Sequence, residues 1–199
     1  MKKYLFILML LAMSAGACAQ TAQQVLKKTA SIVGRPGGCA ANFKLSSAKF
    51  GSTSGRIAIK GQKFQASTPK AMIWFDGTTQ WSYLSATNEV NVSKPTQAQQ
   101  MSMNPMTFIH IYQTGYTPTM TKKGNNFIIR LVAKNQRRTV QEMELTINRK
   151  TYVPSVVRMR QGKTWSTISI SGFSARNQSN STFTFNAKDY PTAEVIDLR

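Results

Sequence analysis

Few side chains in this sequence could perform chemistry. The only histidine, His110, lies in an apolar stretch, where a lone histidine is more often structural than catalytic. Cys39 has no histidine nearby that could activate its thiol, so we expect a small buried residue there. No group of His, Cys or Asp residues has the spacing of a metal site, and no glycine-rich phosphate loop or nucleophile elbow occurs. The sequence therefore predicts no enzyme, no metal and no cofactor.

The acidic residues are too scattered to act as paired catalytic carboxylates. The chain has only seven of them: Asp76, Glu89, Glu142, Glu144, Asp189, Glu194 and Asp197. Asp76 stands in an Asp-Gly turn, whereas Glu142 and Glu144 alternate along one strand and so share its outer face. We expect Arg137 and Arg138 to screen that pair. A glycosidase needs two carboxylates across a cleft, and nothing in the sequence marks such a pair.

Residues 1–19 have the pattern of a signal peptide for export. The stretch "MKKYLFILMLLAMSAGACA" begins with two lysines, continues with an apolar run and ends in small residues. The tripeptide Ala17-Cys18-Ala19 fits the small-x-small cleavage rule and predicts a mature chain that begins at Gln20. The alternative is a lipoprotein box that ends at Cys18 and leaves an acylated cysteine, although Ala15 stands where such boxes usually have leucine.

The net charge is strongly positive. Without Lys2 and Lys3 of the leader, the chain has 24 basic and 7 acidic side chains, which gives +17. Such an excess favours encounter with acidic partners, and for an exported protein these are anionic lipid headgroups or an acidic protein surface. Many basic residues can also serve only to keep the outside of a sheet soluble. Because they are spread over many strands without a nucleic-acid motif, we expect no nucleic-acid partner.

One amphipathic helix precedes a series of strands. Thr21 and Gln24 match a capping box, and apolar residues follow at helical spacing until Val33. The period then changes to two, with polar and basic residues between the apolar ones, which predicts antiparallel strands with one apolar face. The alternating apolar residues are Phe43, Leu45, Ile57, Ile59, Phe64, Phe127, Ile129, Leu131, Met143, Leu145, Ile147, Val157, Met159, Ile168, Ile170, Phe183 and Phe185.

The segment from Lys94 to Tyr116 breaks this alternation. It is rich in methionine and has few β-branched residues before Thr107, which predicts two short helices, the second starting at Asn104-Pro105. No linker, internal repeat or low-complexity tract interrupts the chain. Residues 20–199 are therefore predicted to form a single domain, a curved antiparallel sheet with helices on one face.

A hairpin with bulky residues on both faces is the most distinctive local feature. The stretch "IWFDGTTQWSYL" places two aromatic runs around the Asp76-Gly77 turn. Together with "GRIAIKGQKF", "EVNVSKP" and "NPMTFIHIY", it resembles the first half of the outer-membrane lipoprotein carrier family (LolA-like). The stretches "LTINRKTYVP" and "STFTFNAKDYPTAEVIDLR" resemble later segments of that family. The pattern Asp-Gly-x-x-x-Trp-x-Tyr, which ends at Trp81 and Tyr83, is the most specific part of this resemblance.

The resemblance implies a fold and a function. The fold is α+β, an unclosed antiparallel half β-barrel wrapped around a few short helices, with an apolar cavity between sheet and helices. The function is that of a monomeric periplasmic carrier, which receives the acyl chains of lipoproteins from an inner-membrane ABC-type release complex and delivers them to the outer membrane or a receptor there. The expected lining of the cavity is Ile57, Ile59, Phe64, Trp74, Phe75, Trp81, Met101, Met106, Phe108, Tyr112, Ile129 and Met143.

One position departs from the family pattern. Well-studied members have an Arg-Pro step after the strand that corresponds to Ile57–Lys60, and the arginine helps to close a lid; this chain has Gly61-Gln62 instead. Lys60 or Lys63 is only a weak substitute. The cargo could accordingly be a related lipid or a subset of lipoproteins. Two other interpretations stay open: a lipid-anchored outer-membrane receptor of the same fold, and a basic envelope protein that binds anionic surfaces without lipid uptake.

Overall fold

The computed structural model describes residues 20–48, 51–96, 99 and 113–199. One helix, α1 (Ala22–Val33), precedes twelve strands in this part of the chain. The strands are β1 (Cys39–Ser47), β2 (Gly51–Lys60), β3 (Lys63–Ser67), β4 (Ala71–Phe75), β5 (Gln80–Leu84), β6 (Glu89–Ser93), β7 (Tyr116–Lys123), β8 (Asn126–Ala133), β9 (Glu142–Asn148), β10 (Pro154–Gln161), β11 (Thr164–Ser174) and β12 (Glu194–Asp197).

All twelve strands belong to one open sheet. Their order is β12-β6-β5-β4-β3-β2-β1-β11-β10-β9-β8-β7, so the sheet has two edges and is not closed. Every neighbouring pair is antiparallel except β12 and β6, which are parallel. Two consecutive meanders, β1–β6 and β7–β11, meet where β1 pairs with β11, and a bulge between Ala40 and Asn42 bends the sheet at this junction. The unclosed antiparallel architecture predicted from the sequence is confirmed.

Helix α1 begins and ends where the sequence pattern places it. The hydroxyl oxygen of Thr21 accepts from the backbone N–H of Gln24, and the Gln24 side chain accepts from the backbone N–H of Thr21, so the capping box is complete. The helix buries one face, formed by Val25, Leu26, Thr29 and Val33. That face packs on one side of the sheet, which we call the inner face.

The inner face contains the main apolar core. Alternate residues of β1–β4 and β7–β11 point to this side, and cross-strand pairs such as Leu145 with Ile129 and Val157 with Ile168 place them in continuous rows. The core members on the sheet include Cys39, Ala41, Ile57, Ile59, Phe64, Phe75, Tyr116, Phe127, Ile129, Leu131, Ala133, Met143, Leu145, Ile147, Val157 and Ile168. The one-sided alternation in the sequence therefore predicts the inner face correctly.

The opposite, outer face of β2–β5 is covered by the C-terminal segment. Phe183 is fully buried there against Ala40 and Ala58. The expectation that Phe183 and Phe185 alternate along a strand is wrong: Asn180–Phe183 is a 3₁₀ turn, capped by the Ser179 hydroxyl oxygen, which accepts from the backbone N–H of Ser181. The phenylalanines are spaced by turn geometry instead of by a strand pleat.

Charged ladders cross the outer face of β8–β10. Arg130 Nε donates to Glu142 at 2.5 Å, and Arg158 Nη1 donates to Glu144 at 3.1 Å. Arg160 lies 3.5 Å from the second carboxylate oxygen of Glu142. The expectation that Arg137 and Arg138 screen these acids is therefore wrong, because the partners come from neighbouring strands and not from the preceding loop. Arg158 and Arg160 lie directly opposite their glutamates, and Arg130 reaches Glu142 diagonally.

No helix in the described ranges is long and apolar enough to cross a membrane. The two short helices predicted between Lys94 and Tyr116 fall almost entirely outside the described residues.

Candidate functional site

The inner face brings together six of the predicted lining residues. Ile59 pairs with Phe64 and Phe64 with Phe75, and the two phenylalanine rings lie 5.6 Å apart between centroids. Ile57 lies two residues from Ile59 on the same side of β2. Across the bend of the sheet, Ile129 and Met143 lie on β8 and β9 and are fully buried.

Trp74 and Trp81 lie on the outer face instead. Trp74 and Trp81 pair with each other across the hairpin. Because Trp74 is adjacent to Phe75 along β4, Trp74 and Phe75 point to opposite sides of the sheet. The Trp74 ring makes edge contacts with Phe185 at 5.5 Å and Tyr190 at 5.6 Å between centroids. The structure thus explains the double-sided bulk of the hairpin: one side joins the inner core, and the other side contacts the C-terminal segment.

The remaining four predicted lining residues, Met101, Met106, Phe108 and Tyr112, lie outside the described residues. His110 lies outside them as well. Within the described ranges, no group of His, Cys, Asp and Glu residues is placed to bind a metal ion.

A half-buried apolar fringe borders the fully buried core of the inner face. Its side chains keep part of their surface outside the packed interior, so they have contact area to offer a ligand. The fringe consists of Phe43, Leu45, Ala66, Ile73, Met120, Met159, Ile170 and Phe173. These residues are absent from the lining expected from sequence, although four of the eight, Phe43, Leu45, Met159 and Ile170, belong to the same alternation that identifies Ile57 and Ile59.

A small apolar cavity lies beside the end of α1. Its volume is about 20 Å³, which is close to the space one water molecule needs, and its lining atoms are apolar. Val33 from α1, Cys39 and Phe43 from β1, and Ile168 and Ile170 from β11 are among its walls. The cavity marks a small packing defect between helix and sheet.

Cys39, which lines this cavity, has an unreactive thiol. Burial raises the pKa of its thiol to about 11, while the nearby Arg35 guanidinium opposes that rise. The Sγ atom donates to the carbonyl oxygen of Val33 at 3.3 Å. The expectation of a small buried cysteine is therefore confirmed, and this thiol has the wrong protonation state to act as a nucleophile near neutral pH.

The apolar inner face ends at β4. On β5 and β6 most residues that point to this side are polar: Gln80 lies opposite Phe75, and Ser93 lies opposite Gln80. The exception is Leu84, which pairs with Ala71 and is 42% exposed. Gln80 is buried and donates through Nε2 to the hydroxyl of Ser82 at 3.1 Å. Asn91 lies opposite Ser82 on β6. The inner face is thus apolar over most of its width and polar at one end.

Neither lysine considered as a lid latch faces the inner side. Lys60 Nζ donates to the carbonyl oxygen of Gln178 at 3.1 Å, and Lys63 pairs with Lys60 across the β2–β3 turn. Lys60 therefore helps to fix the C-terminal segment on the outer face.

Comparison with known proteins identifies the family. The family model described as "Outer membrane lipoprotein carrier protein LolA" matches residues 12–163, which is most of the chain. The segment that carries Phe183 and Tyr190 lies beyond this match. No curated protein matches the chain.

Comparison with solved structures finds similar proteins. An uncharacterized conserved protein from Thermus thermophilus superposes with a TM-score of 0.60 at 16% identity, over 89% of this chain and 99% of that one, which shows a common fold. A LolA superfamily protein from Nitrosomonas europaea gives 0.45 at 13% identity, over 84% of this chain and 99% of that one. A putative outer membrane lipoprotein-sorting protein domain from Vibrio parahaemolyticus gives 0.44 at 10% identity, over 84% and 94%.

Proposed function

Because the chain belongs to the outer membrane lipoprotein carrier (LolA) family, we propose that it carries the acyl chains of lipoproteins, or of related lipids, on the inner face of its sheet. The observation that supports this function is the apolar inner face with its half-buried fringe on a sheet that does not close. Lining residues in the described part are Ile57, Ile59, Phe64, Phe75, Ile129 and Met143, with Met101, Met106, Phe108 and Tyr112 contributed by the segment before β7.

Such a site has to shield a long apolar chain from water without binding it too tightly. Each methylene removed from water contributes about 0.8 kcal/mol, so even partial coverage of an acyl chain gives strong binding. A carrier also has to release its cargo. Methionines such as Met120 and Met159 on the fringe are flexible and polarisable, which suits a surface that adapts to chains of different shape.

The polar end of the inner face gives the cargo a direction. An acyl chain that extended over β5 and β6 would displace water from the polar side chains of Ser82 and Asn91, which is unfavourable. The lipid's polar linkage to its protein fits this end, where those groups can donate and accept hydrogen bonds.

The proposed route begins with export. Residues 1–19 are removed as a signal peptide, and the chain acts in the periplasm as a monomer between an inner-membrane ABC-type release complex and the outer membrane or a receptor there. Intact-mass analysis tests the first step, with an N-terminus at Gln20 as the expected result. A diacylglycerol adduct on Cys18 would instead favour the lipid-anchored receptor of the same fold.

A pair of neighbouring substitutions tests the binding face. Ala66 and Gln65 are adjacent on β3 and both half-buried, but Ala66 points to the inner face and Gln65 to the outer face. We expect Ala66→Trp to fill the acyl site and to weaken binding of a fluorescent fatty-acyl dye by at least roughly tenfold, since the added ring occupies the volume that the acyl chain needs. Gln65→Trp is the matched control, and it should leave dye binding close to that of the parent protein.

Thermal unfolding of both variants accompanies the dye measurement, since overpacking a core costs about 1–3 kcal/mol. Equal dye affinity for the parent protein and Ala66→Trp, with both folded, would place the lipid elsewhere. Absence of any dye binding by the folded parent protein would remove the carrier function.

A further inference from the structure

Five exposed cations gather at one rim of the sheet. Lys122 and Lys123 end β7, Arg149 and Lys150 occupy the β9–β10 turn, and Lys28 projects from α1. The β7–β8 turn and the β9–β10 turn are joined directly, because the backbone N–H of Arg149 donates to the carbonyl oxygen of Asn125 at 2.9 Å. We call these five residues the basic rim.

An aromatic pair fixes part of the basic rim in place. The rings of Phe127 and Tyr152 lie 6.1 Å apart between centroids. Lys28 Nζ lies 4.1 Å from the centre of the Tyr152 ring, and the Arg149 guanidinium lies 5.6 Å from that of Phe127. Arg149 Nη1 also donates to the carbonyl oxygen of Gly124 at 3.2 Å. Such cation–ring contacts orient the side chains without neutralising their charge.

No carboxylate balances this charge among the described residues. The four ion pairs of the described ranges use Arg130, Arg158, Arg160 and Arg199, none of which belongs to the basic rim. The outer face shows the contrast, since each of its paired β8–β10 arginines has a glutamate partner. Five like charges without acid partners repel one another and destabilise the fold slightly. An anionic surface that binds there would relieve this repulsion.

The start of the described chain lies at the same rim. Gln20 Nε2 donates to the hydroxyl of Tyr152 at 3.2 Å, and Lys28 Nζ lies over the same ring, so Gln20 lies beside the basic rim.

We propose that the basic rim docks the protein on a bilayer surface of anionic phospholipids, with its lysine and arginine side chains against the headgroup phosphates. The rim carries its charges at the end of β7, in the β9–β10 turn and on α1, so the contact is peripheral and reversible and inserts no apolar anchor. The rim lies at the end of the inner face: Lys122 follows the fringe residue Met120 by two residues on β7, and Lys150 lies in the β9–β10 turn. Docking in this way would present the carrier to the membrane in one orientation.

Vesicle binding by the protein of residues 20–199 tests this proposal. The probes are vesicles of phosphatidylcholine alone and vesicles with one third phosphatidylglycerol, at low and at high salt. We expect binding only to the anionic vesicles, with a strong decrease at high salt. The variant Lys122→Glu/Lys123→Glu/Lys150→Glu should lose at least roughly 100-fold in affinity, because each cation near an anionic surface contributes about fivefold. Arg149 is left unchanged because its side chain supports both turns.

A charge-matched control locates the effect. Lys44→Glu/Arg56→Glu/Lys163→Glu changes three exposed cations away from the rim and produces the same net charge. This variant should bind about as well as the parent. Equal loss in both variants would mean that diffuse charge drives binding, and unchanged binding by the rim variant would mean that the rim serves another partner; either result overturns the proposal.

The dye assay separates this inference from the carrier function. The rim variant should bind fatty-acyl dye as the parent does. A parent protein that docks on anionic vesicles but takes up no dye would leave the rim proposal standing and remove only the carrier function.

Discussion

At the scale of single residues, the described structure has one buried side-chain oxygen that its surroundings fail to satisfy. Thr29 is fully buried on the inner side of α1, and its hydroxyl oxygen has no hydrogen-bond partner. Leaving such a group unpaired in an apolar interior costs about 1–3 kcal/mol. No local pattern indicates this, because Thr29 fits the helical spacing of the buried positions like any small apolar residue.

Replacing this hydroxyl by a methyl group should stabilise the protein. We expect Thr29→Val to raise the free energy of unfolding by about 1 kcal/mol, since valine has the same shape and removes the unpaired group. Urea unfolding measures the change. Thr29→Ser keeps the hydroxyl and removes the methyl group, so it should destabilise; a Thr29→Val protein that is less stable than the parent would show that the hydroxyl has a partner in solution.

Glu142 should make stability depend on pH. The hydrogen bond from Arg130 lowers the pKa of this carboxyl below its ordinary value of 4.5, and Arg130 and Arg160 add attraction, while burial opposes the shift. Because the pKa is depressed in the folded state, the stabilisation is fully present above the ordinary pKa and is lost as the pH falls through the native pKa.

The substitution Glu142→Gln measures this contribution. It should cost about 1 kcal/mol near neutral pH, and the difference from the parent should shrink towards zero in acid. Glu194→Gln, at an exposed site on β12 without an ion pair in the described structure, is the control and should change little at either pH. A difference that stays constant from neutral to acid pH would show that packing, and not charge, is responsible.

At the scale of elements, the C-terminal segment between β11 and β12 covers the outer face. Tyr190 packs against Trp74 at 5.6 Å and against Tyr83 at 4.6 Å between ring centroids, and Phe183 fills the space over Ala40 and Ala58. The hairpin is therefore apolar on both faces because each face is buried by a different part of the chain. Short-range alternation cannot reveal this, since the covering residues follow much later in the sequence.

Removing the buried ring of this C-terminal segment should destabilise the protein strongly. Phe183→Ala should lower the free energy of unfolding by about 3–5 kcal/mol, because the site is closed on all sides and leaves a cavity. Phe185→Ala, at a half-buried ring of the same segment, should cost clearly less. Denaturant unfolding compares the two. Equal and small losses would mean that the segment is only loosely attached.

At the scale of the whole molecule, one sheet joins both halves of the sequence, and this predicts a single cooperative unfolding transition. Trp74 and Trp81 lie on the β1–β6 meander, while Trp165 lies on β11. Tryptophan fluorescence of Trp165→Phe therefore follows the first meander, and that of Trp74→Phe/Trp81→Phe follows the second. In each variant the fluorescence midpoint in urea should coincide with the midpoint from far-UV circular dichroism. Separate midpoints would show that the meanders unfold independently.

Predictions from sequence succeed where a feature depends on local spacing and fail where it depends on distant parts of the molecule. Helix α1 and the strands depend on local spacing, so the capping residues Thr21 and Gln24 and the inner-face alternation are sufficient. The partners of Glu142 and the outward direction of Trp81 depend on register between strands, which no local pattern records. The family resemblance supplies the architecture but not the turn at Phe183. Four proposed lining residues lie outside the described ranges and stay predictions.

The strand order has a consequence for how the chain is made. Strand β1 lies between β2 and β11, and β6 receives β12 as its outer neighbour, so the first meander meets its last partners only when Thr164–Asp197 has been synthesised. Until then β1 has a bare edge and the outer aromatic side of β4 and β5 is uncovered. A nascent chain that stops early is thus prone to aggregate, because its bare edge is open to strand addition by other copies. Truncation before Thr164 would therefore expose two borders of the first meander at once, because β11 covers the edge of β1 and β12 covers the edge of β6.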